Sequence, residues 1–140
     1  MKRSFLFLLI SAMPAIGHCE VSTEIFCFGS FDPANIRFEL RTYSDSTADW
    51  EGAFVKYKGA KHTIPLVLLN DQAETIDNNS PDRDVRTWAE VNDGKITGEY
   101  EMVSQGTDIS SMTYLNHRTG KKFHFLPDSN VDRTDKGCSW

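Results

Sequence analysis

The chain has 140 residues and a formal net charge of −5, with 39% hydrophobic and 25% charged residues. That length is one domain's worth. Its acidic balance makes it a poor candidate for nucleic acid or for an anionic membrane surface.

The first residues, Met1-Lys2-Arg3-Ser4, are basic, and Phe5 to Met13 form a short apolar run. Pro14 ends it, and Ala15 and Gly17 supply the small residues that signal peptidase requires. The run is far shorter than the roughly 20 residues that span a bilayer. Residues 1–19 therefore read as a signal peptide, and 20–140 as a single exported β-domain, periplasmic or secreted. Cleavage after Gly17 and cleavage after Cys19 both fit. His18 is too large to precede a lipid-modified cysteine. Cysteine parity favours the cut after Cys19, because an unpaired thiol is a liability in an oxidising compartment. That cut leaves Cys27 and Cys138, whose predicted bridge closes a loop of 112 residues counting both. It also removes Lys2 and Arg3, moving the net charge from −5 to −7.

Beyond the signal, alternation dominates and helical periodicity is almost absent. Val21 to Phe28 reads as a strand. Ser30 to Asn35 reads as a loop, and Ile36, Phe38 and Leu40 alternate with charged residues. Trp50 to Lys58 alternates again, with Ala53, Val55 and Tyr57 on one side and Phe54 and Lys56 on the other. Thr63 to Leu69 is an apolar strand whose Pro65 suggests an edge, since proline cannot donate to a ladder. Asn70 to Asp84 carries no hydrophobic period and is expected to be the longest loop, with a helical turn near Asp71 to Ile76. Val85 to Val91 and Lys95 to Val103 form a hairpin around Asp93-Gly94, a pair suited to positive φ. In the second arm Ile96, Tyr100 and Met102 appear in phase. Ile109 to Asn116 and Lys121 to Leu126 complete the strands, and the tail from Pro127 reads as loop. The predicted fold is all-β: one antiparallel meander of about eight short strands, barrel or sandwich, with few or no helices.

Motifs that carry chemistry are scarce in this sequence. His62, His117 and His124 share no zinc spacing, and CxxC is absent. There is no GxSxG elbow and no phosphate-binding glycine loop. No catalytic, cofactor-binding or metal-ligating residue is assigned, no cofactor is expected, and an enzyme is the least favoured reading. Asp71, Glu74, Asp77, Asn78, Asn79, Asp82 and Asp84 could offer oxygens to calcium, but they lack the EF-hand spacing, so a solvated acidic loop is the better reading. Asn78-Asn79-Ser80 is formally a glycosylation sequon.

Surface recognition remains. Loops on a rigid β-scaffold concentrate binding residues, and an acidic, stapled, exported domain suits a basic protein by electrostatic steering. The expected function is a protein-binding module, such as an inhibitor or immunity protein against a basic hydrolase or toxin. Its expected binding loop is Glu74, Asp77, Asp82 and Asp84. The outline is similar in architecture to small periplasmic lysozyme inhibitors, without their signature loop motifs. The alternative is a lipocalin-like carrier whose interior, lined by Trp50, Trp88, Tyr57, Tyr100, Phe54, Phe123 and Phe125, holds a small apolar ligand. At this length self-filling of the barrel is favoured over a hollow interior.

Overall fold

The computed structural model describes residues 20–32 and 34–140. The predicted signal peptide, and with it the cleavage point, lies outside them. The described residues are all-β: β1 (Ser22–Gly29), β2 (Arg37–Asp45), β3 (Trp50–Tyr57), β4 (Ile64–Glu74), β5 (Arg83–Asn92), β6 (Lys95–Gln105), β7 (Asp108–Asn116) and β8 (Lys122–Pro127) form an antiparallel meander. Pairing of Phe28 with Pro127 and Gly29 with Leu126 closes it into a barrel. Of the two predicted architectures, the barrel is the one formed.

Alternation builds the interior. Phe28, Phe38, Leu40, Val55, Trp88, Tyr100 and Met112 are fully buried. Phe38 sits at the aromatic centre, with ring centroids 5.3 Å from Phe28, 5.6 Å from Tyr100 and 4.9 Å from Phe125. Packed rings fill this level of the barrel. Two members of the imagined cavity lining, Trp50 and Phe54, point outward instead. They lie one residue out of phase with Ala53 and Val55, which face the core.

Four other expectations are corrected. Pro65 does not mark the edge of an open sheet, because the barrel is closed. It lies opposite Phe54 in a ladder where β4 pairs with β3 only from Ile64 to Leu66. The stretch from Asn70 is not loop, and Asp71 to Ile76 makes no helical turn. After a bulge between Leu68 and Asn70, β4 continues to Glu74 against β5, which begins at Arg83. The connecting loop is only 75–82. Ile96 leaves the phase of Tyr100 and Met102, because a bulge at Glu90/Val91 shifts the register and exposes it. Finally, the tail folds. Asp132–Thr134 (β9) pairs with Gly137–Ser139 (β10) in a small hairpin.

That hairpin is fastened to the outside of the barrel. Cys27 and Glu39 are cross-strand partners on the outer face of β1 and β2. Cys27 forms a disulfide with Cys138, Cα to Cα 5.9 Å. Glu39 accepts a hydrogen bond from the Cys138 backbone N–H at 2.9 Å and is held by Arg41 at 2.7 Å. The bridge is compatible with an oxidising compartment.

Candidate functional site

A meander places successive connections alternately at the two ends of the barrel. The connections β2–β3, β4–β5 and β6–β7 share one end. There β4 and β5 stand beyond the β3–β4 ladder, and the surface combines acid with exposed apolar side chains. Trp50, Val67 and Leu69 are 54%, 54% and 52% exposed. The Trp50 indole folds back over Gly52, where an added Cβ would lie within 2.6 Å of the ring. Beside it, the Tyr43 and Phe54 rings lie 6.1 Å apart, and the Arg41 guanidinium sits 5.5 Å above Phe54. Large exposed apolar groups gathered where strand pairing stops are characteristic of an interaction surface.

The predicted binding residues are brought to this end, in four different environments. Glu74 is ion-paired to Arg83 at 2.9 Å. Asp77 closes its own turn: its carboxylate accepts from the Asn79 N–H at 2.7 Å and the Ser80 hydroxyl at 2.8 Å, and these bonds hold its pKa below the usual carboxylate range. Asp82 is exposed in the loop. Asp84 points inward, lining a cleft of about 320 Å³ in the barrel mouth with Glu24, Arg86 and Arg133. Arg86 is in turn paired with Asp71 at 3.2 Å. Sequence reasoning found the acids. It missed Arg83 and Arg86 as partners: β5 was expected to start after Arg83, and Asp71, which lies opposite Arg86, was expected in a loop. It also missed Trp50, Val67 and Leu69, whose outward phase was legible but was read as cavity or strand.

Beside this end the wall has a slot. β8 stops at Pro127, so the first halves of β1 and β7 face each other with no strand between them. A cleft of about 470 Å³ lies there, lined by Phe26, Asp108, Ile109, Val131 and Arg133 among others. The β9–β10 hairpin borders it.

The other end holds a buried polar cluster. Glu90, 6% exposed, accepts from Thr97 Oγ1 at 2.6 Å, Tyr114 Oη at 3.1 Å and Tyr100 Oη at 3.2 Å. Tyr57 and Tyr100 hydroxyls are 2.6 Å apart. Gly98, opposite Glu90, makes the space: a Cβ there would stand 2.5 Å from the Tyr114 ring. Among the described residues, no buried polar side-chain atom lacks a partner. Burial, reinforced by Glu90, pushes the Tyr114 hydroxyl up to about 12. Burial, then Tyr57 and Glu90, pushes Tyr100 further up.

A raised phenol pKa has a definite consequence. The unfolded chain loses these protons near pH 10 while the folded chain keeps them. The Tyr114 contribution is fully present below pH 10 and is lost as pH rises through about 12. Denaturant midpoints should therefore fall steeply across that window. Tyr114→Phe should flatten the fall, with phenolate absorbance reporting the titration. An equal slope in the variant would show that Tyr114 carries none of it.

No histidine, cysteine or acid group of three or more converges as a metal site among the described residues. No family model, curated protein or solved structure matches the chain.

Proposed function

We propose that the chain is an exported binding module, periplasmic or secreted, whose acidic end captures a basic protein, as an inhibitor or immunity protein of a hydrolase or toxin would. The observation that carries this reading is the apolar group Trp50, Val67 and Leu69, exposed beside the acidic β4–β5 hairpin. An apolar centre with a charged rim is how protein interfaces are built. The acids steer the partner and the rings anchor it. Arg83 and Arg86 hold Glu74 and Asp71 in place. Residues 70–84 still carry five acids against Arg83 alone. A rigid barrel whose middle is filled by its own rings supports this reading over a carrier of apolar ligands.

The test uses residues 20–140 as bait in a periplasmic extract, followed by identification and titration of the captured protein. The reading expects a basic protein whose affinity falls by roughly thirtyfold with Trp50→Ser, as for an aromatic anchor. Replacing Glu74, Asp77, Asp82 and Asp84 by their amides should weaken binding and flatten its salt dependence. Recovery of a small molecule alone, or affinities unchanged by both variants, overturns it.

A further inference from the structure

The opposite end has the opposite sign. The connections β1–β2, β3–β4, β5–β6 and β7–β8 meet there. They carry Lys58 and Lys61 in one loop, Lys95 beside the next, and Arg118, Lys121 and Lys122 around the last. All six are exposed, and none forms an ion pair with a described residue. Against them stand Asp32 and Asp93 in the connections; nearby, Glu99 is paired with His117, Asp128 with Arg37, and Glu90 is buried. Asp32 is occupied within its own loop, accepting from the Ser30 hydroxyl and the Ala34 N–H.

The same end bears two protruding apolar side chains, Phe31 and Ile96, 82% and 54% exposed. Phe31 borders an apolar-walled cleft of about 460 Å³ that it shares with Lys122, Phe123 and Leu126. Exposed lysines around protruding apolar tips match an anionic bilayer: the cations meet headgroups while the tips enter the acyl boundary. We propose that this basic end docks the protein on an anionic phospholipid surface.

The net charge of −7 on residues 20–140 does not oppose this. The longest strands have 11 residues, so the barrel is roughly 25 Å long at the usual strand tilt. The Debye length at physiological salt is about 8 Å. The acidic end is thus screened from a surface touched by the basic end, while the lysines are within one screening length of it. A nucleic-acid partner is the less favoured polyanion, because Phe31 and Ile96 stand singly at separate turns and form no continuous stacking platform.

Each cation held near an anionic leaflet is worth at most roughly fivefold in partitioning. Residues 20–140 should co-sediment with vesicles of equal parts phosphatidylglycerol and phosphatidylcholine, on the order of a hundredfold more strongly than with phosphatidylcholine alone. The preference should shrink at high salt. The quadruple variant K58Q/K61Q/K121Q/K122Q should lose most of that roughly hundredfold preference, and F31S about tenfold in affinity. All four lysines are exposed, so an unchanged thermal midpoint is the check that folding is intact. Equal binding to both vesicle types overturns the proposal, as does full binding by the folded quadruple variant. So does binding to a short DNA duplex that matches the anionic vesicles and is indifferent to F31S. This outcome is independent of the protein-capture experiment, which reads the other end.

Discussion

Glu90→Ala should destabilise the barrel by about 3–5 kcal/mol, the scale for breaking a buried polar network by removing its hub. Thr97, Tyr100 and Tyr114 all donate to this one carboxyl group. Without it, Tyr100 can still turn to Tyr57, but Thr97 and Tyr114 lose their buried acceptor. Glu90→Gln gives a sharper comparison. Thr97 and Tyr114 both use Oε1, while Tyr100 uses Oε2. An amide oxygen at the first position keeps two bonds. An amide nitrogen at the second can donate to Tyr100, which then donates to Tyr57. The glutamine variant should lose only about 1 kcal/mol. Chemical denaturation of the two variants checks the ranking, and equal losses would show that neither the retained shape nor the amide's hydrogen bonds can stand in for the carboxyl group.

The second large effect is at the staple. Replacing Cys27 and Cys138 together by alanine should cost about 3 kcal/mol, within the range of about 2–5 kcal/mol seen for native bridges in small exported domains. The midpoint should fall by roughly 10–15 °C. The loop-entropy model assigns this mainly to freedom returned to the unfolded chain across a 112-residue loop. A local effect should accompany it. The hairpin would then hang on the Glu39 carboxyl and a few side-chain contacts, so amides of residues 132–139 should exchange faster than those of β5 and β6. Uniform exchange across the domain would show that the bridge acts on the unfolded chain alone.

Much of this architecture is legible from side-chain phase. Phe38 and Leu40, Val55 and Tyr57, and Phe123 and Phe125 each mark an inward face. At Asp93-Gly94, φ values of 49° and 73° match the turn that Asp-Gly predicts. What escaped has physical reasons. Asn70 to Glu74 is strand without a hydrophobic period, because its pairing with β3 ends at Leu66 and its exposed residues have no core face to supply. The bulge at Glu90/Val91 shifts the register without leaving a mark in the alternation along the chain. The β9–β10 hairpin is too short to declare itself and depends on Cys27 and Glu39, about a hundred residues away in sequence. For the candidate site, the acids were legible as a cluster. Their separate fates were not: Asp77 turned into its own loop, Glu74 paired to Arg83, Asp84 aimed into the mouth.

The sorting of charge between connections has a consequence that total charge conceals. In an up-and-down barrel the loops alternate ends. A sequence whose basic turns, after β3 and β7, fall at one end and whose most acidic turn, after β4, falls at the other therefore folds into a molecule with a permanent electric dipole along its axis. A charged surface exerts a torque on such a body before it touches it. The protein would arrive already turned, lysines leading and the tryptophan face trailing, with no conformational change required.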